Sequence, residues 1–143
     1  MKTYLLLFFL SPLFVCSQSN SLNFGTNNTL DVVTWNLEWF PKNGNITIDS
    51  LKSIIEKIDA DVYALQEIDN IGSFNVLKNQ LLGYSGLLKN TSNLNLAFLY
   101  KNSITVDSAY SILDDYDYVF AGRTPFVIDL NYNGMNISLF NNH

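Results

Sequence analysis

Five polar residues stand where strand-like runs of this sequence begin or end: Asn36, Glu67, Arg123, Asn142 and His143. A carboxylate and an amide oxygen are hard ligands that suit Mg²⁺, which takes few protein ligands and keeps several waters. An arginine can hold phosphate oxygens in a bidentate fork. An imidazole can exchange a proton with an attacking water or a leaving oxygen near neutral pH. Together these groups predict metal-assisted hydrolysis of a phosphoester.

Taken one at a time, the same residues have ordinary structural explanations. An asparagine after a strand often satisfies a turn backbone, and a glutamate in that place is often a solvated end residue. An arginine before Thr-Pro is commonly a surface ion-pair partner, and a terminal histidine usually has no role. The functional prediction therefore rests on the combination, because reactive groups at strand ends with apolar runs behind them are how a rigid sheet presents a site.

The first half of the chain predicts a strand, a helix and a second strand. The run LDVVTWN favours a buried strand that ends at Asn36. Apolar residues at i, i+3, i+4 and i+7 from Leu51 predict an amphipathic helix, with Thr47 or Asp49 as its N-cap. The apolar run 62–65 then ends abruptly at Gln66 and Glu67. This order predicts a βαβ-type unit with a covered sheet.

The second half predicts one more helix and then mostly strands. A helix over about 73–83 would carry its apolar side chains on one side, namely Phe74, Leu77, Leu81 and Leu82. The runs GYSGLLK, NLAFLYK and ITVDSAYSIL are strand-like. Asn133-Gly134 suits a two-residue type I′ turn between arms at 126–132 and 135–140, and the second arm leads to His143.

The N-terminal segment predicts export. Residues 1–17 combine one lysine with an apolar core and a plausible cleavage site, the layout of a signal peptide, with an anchor helix as the alternative. Residues 18–30 are polar and predict a linker before a domain at 31–143. Cleavage after Ser17 removes Cys16, the only cysteine, so we expect no disulfide. We also expect the cleaved protein to have no membrane span and to be secreted or periplasmic (cell envelope).

The charge balance bears on the substrate. The chain carries a net charge of −5, which becomes −6 when Lys2 leaves with residues 1–17. An acidic surface offers no lysine and arginine footprint for non-specific binding of nucleic acid. If the substrate is a phosphoester, a cation must bridge it to the protein.

The segments VVTWNLEWF, ADVYALQEI, LAFLYK, GRTPFVIDL and ISLFNNH resemble the N-terminal half of the endonuclease/exonuclease/phosphatase superfamily, whose members are similar to DNase I. The resemblance implies an α+β fold that is part of a four-layered αββα sandwich. It also implies Mg²⁺, with Mn²⁺ or Ca²⁺ as alternatives, held by Glu67 with help from Asn36. By the same resemblance His143 and Asn36 would be catalytic, and Arg123 with Asn142 would contact the substrate.

The sequence departs from that family by ending at His143, without the Asp-x-Asn motif and the final Asp-His pair. We therefore expect the sandwich to be truncated before its second half, and the 143-residue fragment to be inactive while its parent is the enzyme. An endonuclease acting on nucleic acid is the first prediction. A phosphatase, a lipid phosphodiesterase and an inactive secreted binding module stay open as alternatives, and we expect no stable protein partner.

Overall fold

The computed structural model describes residues 25–26 and 28–143, so the predicted signal peptide and most of the predicted linker lie outside the described residues. Seven strands and two α-helices are found in this part of the chain, and a 3₁₀ helix at Asp114–Phe120 lies between the fifth and sixth strands. The elements are β1 (Val32–Phe40), α1 (Asn45–Ile58), β2 (Val62–Ile68), α2 (Ile71–Gln80), β3 (Tyr84–Lys89), β4 (Asn95–Lys101), β5 (Thr105–Ser111), β6 (Phe126–Tyr132) and β7 (Met135–Asn141). None of the helices in the described residues is long and apolar enough to cross a membrane.

The strands form two sheets. Sheet A has the strand order β1-β2-β4-β3, and β1 runs parallel to β2 through the crossover helix α1, which confirms the predicted βαβ unit. Sheet B has the order β5-β6-β7 and is antiparallel throughout. Its β6–β7 hairpin is the predicted one, with positive φ angles of 51° at Asn133 and 80° at Gly134, as a type I′ turn requires.

Two apolar clusters divide the described residues into three layers. On one side of sheet A, alternate residues of β2 and β4 pack against α1 and α2, with Tyr63, Leu65 and Leu99 fully buried. The other residues of the same strands pack against sheet B, and this cluster includes Val62, Phe98 and residues of β6. Because β2 and β4 are covered on both faces, their sequences are nearly continuous apolar runs. The predicted α+β class is confirmed.

The predicted helix boundaries were partly wrong. Helix α2 begins at Ile71, where the Asn70 side chain accepts a hydrogen bond from Ser73 N–H at 2.8 Å, and it ends at Gln80 rather than 83. Leu82 therefore lies beyond the helix, and 92% of it is exposed, whereas Leu81 is buried. The helical periodicity continues past the point at which tertiary packing ends the helix.

Helix α1 does not use either of its predicted caps. The helix begins after Gly44, whose φ of 58° suits a glycine, and no side chain caps it. The Thr47 hydroxyl instead accepts a hydrogen bond from the Asn43 N–H at 3.0 Å. The glycine turn that leads out of β1 thus sets the start of the helix, three residues earlier than a Thr47 cap would.

Candidate active site

Three of the five residues singled out in the sequence meet at one end of the two sheets. The Asn36 Nδ2 atom donates to Glu67 Oε1 at 3.0 Å, and His143 Nε2 lies 2.9 Å from the same oxygen. Asn36 Nδ2 and His143 Nε2 are 3.3 Å apart. These groups come from β1, β2 and the residues after β7, so the contact joins distant parts of the sequence.

The alternation of side chains along β1 and β7 explains two of the three positions. On β1, Val33 and Trp35 pack toward the helices, so Asn36 lies on the face toward sheet B. On β7, Ile137 and Leu139 pack between the sheets, so the same alternation carries His143 toward sheet A. Both groups therefore emerge at the end of the layer between the sheets.

Glu67 reaches the same place because β2 contains a bulge. Leu65 pairs with Ala97 and Ile68 pairs with Asn95, so β2 uses three residues where β4 uses two. Ile68 consequently packs in the helix-side cluster together with Leu65, and Glu67 is the extra residue. A regular strand would aim Glu67 at the helices, whereas the bulge aims it at His143.

The backbone at the site is unusual. Glu67 has a φ of 60°, and Glu38 and Trp39 on the adjoining part of β1 have φ angles of 46° and 62°. Non-glycine residues in this region are strained and persist only where the surrounding structure holds them. The β1–β2 register also shifts between Asn36 and Phe40, so the two irregular segments lie side by side at the site.

The hydrogen-bond pattern fixes the roles of the two nitrogen groups. The Asn36 Oδ1 atom accepts the Glu38 N–H at 2.9 Å, which turns the amide nitrogen of Asn36 toward Glu67. An ionised carboxylate can only accept, so His143 Nε2 must carry a proton in its contact with Glu67 Oε1. Asn36 Nδ2 and His143 Nε2 are then two donors to one acceptor, and their own contact is not a hydrogen bond.

The site favours the charged form of Glu67. Hydrogen bonding from Asn36 lowers the pKa of the Glu67 carboxyl below its ordinary value, and this effect outweighs burial, which acts in the opposite direction. The contact with His143 lowers the pKa further. Only 13% of the Glu67 side chain and 24% of the His143 side chain are exposed, so the pair is partly withdrawn from water.

The donor set fits a divalent cation at Glu67 alone. Within the described residues there is no group of three histidine, cysteine, aspartate or glutamate side chains able to hold a metal. The Asn36 oxygen that was predicted as a second ligand is engaged by Glu38 N–H, and Asn36 faces Glu67 with its amide nitrogen. Mg²⁺ is often held by one or two carboxylates and its own waters, so a single carboxylate is a compatible, though minimal, site.

Arg123 and Asn142 do not join the contact of the other three residues. Among the described residues no hydrogen bond or ion pair links either side chain to Glu67. Asn142 is exposed, next to His143. Arg123 precedes β6, whose first residue Phe126 pairs with Asn141, so it leaves the sheet at the same end as His143. Its Nε atom is buried and has no partner in the described part of the chain.

A polar network fixes the loop that carries Arg123. Lys89, at the end of β3, donates to the Thr124 carbonyl oxygen at 2.8 Å and also contacts the Thr124 hydroxyl. That hydroxyl donates to Asp114 at 2.6 Å, and this hydrogen bond lowers the pKa of the Asp114 carboxyl. Because Lys89 belongs to sheet A and the loop to sheet B, the network joins the sheets beside the site.

Sequence reasoning missed two buried amides behind the site. Gln66 is 5% exposed and Asn141 is 1% exposed, and Gln66 Nε2 donates to Asn141 Oδ1 at 2.7 Å. The sequence contains a signal for both residues. Gln66 follows Ala64 on the face of β2 that packs against sheet B, and Asn141 follows Leu139 on the inner face of β7. A polar side chain at an apolar position is informative because burying it requires a partner.

A cleft of about 460 Å³ opens at the opposite end of the sheets. Its lining includes Asp59, Asp61 and Lys101, and Lys101 Nζ lies 3.2 Å from Asp61 and 3.3 Å from Asp59. Burial alone would lower the pKa of Lys101, but hydrogen bonds to these two aspartates raise it above its ordinary value. Lys101 thus pairs with two of the three aspartates that line the cleft, and the chemistry predicted from the sequence lies at the other end of the sheets.

Fold and site together define a class of protein in which two facing sheets present an ionised carboxylate and an imidazole at one end of the sandwich. The sequence pattern of the Endonuclease/Exonuclease/phosphatase family matches residues 33–135, which is most of the chain. The chain belongs to this family, and the predicted family resemblance and partial DNase I-like fold are confirmed. No curated protein has a sequence that matches the chain.

Solved structures with the same fold come from several organisms. TDP2 of D. rerio complexed with single-strand DNA product is 17% identical, with a TM-score of 0.68 over 78% of this chain and 44% of that one. A family protein from Leptotrichia buccalis C-1013-b is 19% identical, with a TM-score of 0.63 over 80% and 53%. The human Nocturnin catalytic domain with bound sulfate is 16% identical, with a TM-score of 0.51 over 78% and 47%. The chain thus spans about half the length of these structures.

Proposed function

We propose that the protein is a hydrolase of phosphodiester bonds that requires a divalent cation. Mg²⁺ is the first candidate for this cation, and Mn²⁺ and Ca²⁺ are the alternatives. The observation that carries the proposal is the convergence of Asn36 and His143 on one oxygen of Glu67. A carboxylate kept ionised by its neighbours is suited to a hard cation, and an imidazole beside it is suited to proton transfer.

In this proposal each residue has a separate task. Glu67 holds the cation, which when bound polarises a phosphoryl oxygen. Asn36 orients the Glu67 carboxylate through its amide N–H, and His143, held at Glu67 by its Nε2–H, is the proposed proton-transfer group. Arg123 is proposed to bind a phosphate oxygen, because it precedes β6 at the same end of sheet B as His143 and because guanidinium groups pair with phosphate. Asn142 is proposed as a further substrate contact.

We propose nucleic acid as the substrate, with an endonuclease as the specific activity. The support is the family membership and the likeness to TDP2, whose D. rerio structure is complexed with single-strand DNA product. The net charge of −5 argues for a cation between protein and phosphate. Phosphatase and lipid phosphodiesterase activities are the alternatives, and they are outcomes of the same assay.

The test compares Glu67→Gln with Glu56→Gln, a matched change on α1 at a glutamate whose side chain is 52% exposed. The protein expressed from its whole reading frame is assayed with single-stranded DNA, sphingomyelin vesicles and p-nitrophenyl phosphate, with and without EDTA. We expect DNA cleavage that EDTA abolishes, and a loss of at least about a hundredfold in Glu67→Gln alone. Full cleavage by Glu67→Gln, or cleavage that survives EDTA, would refute the proposal. Turnover of only another substrate would replace nucleic acid with that class.

We also propose that the protein is exported, on the strength of residues 1–17 of the sequence. N-terminal sequencing of the protein recovered outside the cytoplasm should begin at Gln18. A recovered chain that still begins at Met1 would favour the anchor helix over the signal peptide.

A further inference from the structure

The distance between His143 and Glu67 depends on how the two sheets meet. Glu67 lies on β2 of sheet A, whereas His143 follows β7 of sheet B. The sheets share no backbone ladder, so sheet hydrogen bonds do not set this distance. Apolar packing between the sheets is non-directional and leaves the position of β7 along sheet A loosely defined. A hydrogen-bonded contact is directional and can fix that position more narrowly than apolar packing does.

Such a contact exists directly behind the site. Asn141 Nδ2 donates to the carbonyl oxygens of Leu65 and Ala97, at 2.9 Å in both cases. Leu65 and Ala97 are the last paired residues of β2 and β4 before the bulge. The Asn141 Oδ1 atom accepts from Gln66 Nε2 at 2.7 Å. Asn141 therefore uses both amide N–H groups and its oxygen to grip the bulged part of sheet A.

Gln66 extends the same contact to β1. Its Nε2 atom lies 3.2 Å from Thr34 Oγ1 and 3.0 Å from the Ala64 carbonyl oxygen, in addition to Asn141. Thr34 is two residues before Asn36 and lies on the same face of β1. One buried amide pair thus reaches all three strands that supply Asn36, Glu67 and His143.

The spacing of the pair matches the spacing of the site. Asn141 precedes His143 by two residues, so these two side chains lie on the face of β7 toward sheet A. Their partners on β2 are adjacent, since Gln66 precedes Glu67 by one residue. Because the bulge turns Glu67 out of the helix-side alternation, the contacts 66–141 and 67–143 lie one above the other. The first is buried, and the second is at the mouth.

We propose that Asn141 and Gln66 are positioning residues whose buried amide contact fixes the end of β7 to β2 and holds the His143 imidazole at Glu67. The catalytic consequence of this role rests on the proposed function. The pair acts through His143 and Glu67 and does not touch the substrate.

The test uses the 143-residue chain, in which His143 is the only histidine. Modification by diethyl pyrocarbonate, followed by mass spectrometry of the peptide that contains His143, reports the accessibility of this one imidazole. Its side chain is 24% exposed, so complete release raises the exposure about fourfold. We expect Asn141→Ala and Gln66→Met to speed the modification up to about fourfold. Asn136→Ala, the same change at an exposed position of β7, should leave it unchanged.

Nitrogen NMR of the imidazole provides the readout that a purely structural role would not move. We expect the Nε2 proton of His143, hydrogen-bonded to Glu67 Oε1, to give a resolved resonance in the wild type that exchange with water removes in both variants. Circular dichroism establishes that the compared variants are folded, and if Asn141→Ala is not, Gln66→Met decides because it keeps the side-chain volume. Folded variants with the wild-type modification rate and an unchanged Nε2–H resonance would overturn the proposal. Neither readout needs hydrolysis, so fast-reacting variants would leave the positioning role standing even if the assay of the protein from its whole reading frame refutes the proposed function.

Discussion

Replacing Asn141 by alanine should cost the fold more than most single changes. The side chain is 1% exposed and takes part in three hydrogen bonds, to Leu65, Ala97 and Gln66. Alanine removes all three and leaves two carbonyl oxygens and one amide nitrogen to find other partners in a dry place. Gln66 keeps Thr34 and Ala64 as acceptors, so its loss is the smallest of the three.

The magnitude follows from these contacts. A buried hydrogen bond contributes about 1 kcal/mol net, and an unsatisfied buried group costs about 1–3 kcal/mol. Three hydrogen bonds are lost, and the loss at Gln66 is small because this residue keeps two other acceptors. We therefore expect the free energy of unfolding to fall by about 3 kcal/mol. For a chain of this length each kcal/mol shifts Tm by about 3 °C, so the melting temperature should fall by about 9 °C.

The assay is urea and thermal unfolding followed by circular dichroism, with Asn136→Ala as the control, because Asn136 is exposed and bonded only to Asn131 within the described residues. The control should change the unfolding free energy by less than about 0.5 kcal/mol. Asn141→Asp keeps the shape but cannot donate when ionised, so it should lose at least as much as alanine at neutral pH and recover part of the loss in acid. A loss below about 1 kcal/mol for both Asn141 variants would refute the reasoning.

Three further predictions test other parts of the structure. Asn36→Ala should raise the pKa of Glu67 toward its ordinary value, since the Asn36 hydrogen bond is the largest cause of its depression. A depressed pKa stabilises the fold above the unfolded-state pKa, and this stabilisation is lost as pH falls through the folded-state pKa. The variant should therefore lose stability at neutral pH and lose little below both pKa values, as measured by urea unfolding across pH. Gly86→Val should lower the free energy of unfolding by about 1–3 kcal/mol, because an added Cβ would stand 2.9 Å from a leucine side chain of β4. Leu81→Ala should cost about 2–5 kcal/mol and Leu82→Ala less than about 0.5 kcal/mol, given their 2% and 92% exposure; equal losses would contradict the observed end of α2.

Patterns with a local physical cause were predictable from the sequence. The hairpin followed from Asn133-Gly134, because few residue pairs accept two consecutive positive φ angles. The βαβ unit followed from two apolar runs on either side of an amphipathic helix. The closeness of Asn36, Glu67 and His143 followed from their places at strand ends and from the family resemblance.

Features that depend on contacts between distant parts of the chain were not predictable. Asn142 attracted attention as the neighbour of His143, yet the alternation of β7 buries Asn141 instead. The sequence of β2 does not reveal the bulge at Glu67, because a bulge is defined by how many residues of the partner strand β4 lie opposite it. Helix α2 likewise ends at Gln80 although the apolar periodicity continues, and Leu81 is non-helical while still buried in the helix-side cluster.

The extra residue of β2 also constrains how this site can change over generations. A substitution near Glu67 alters one side chain, but deleting either of the two residues between Leu65 and Ile68 would restore a regular ladder and remove the carboxylate of Glu67 or the buried amide of Gln66 that meets Asn141. Insertions and deletions in this short stretch should therefore be far less tolerated than exchanges of residue type. A designer who transfers the site to another sandwich must copy the irregular backbone first and the side chains second.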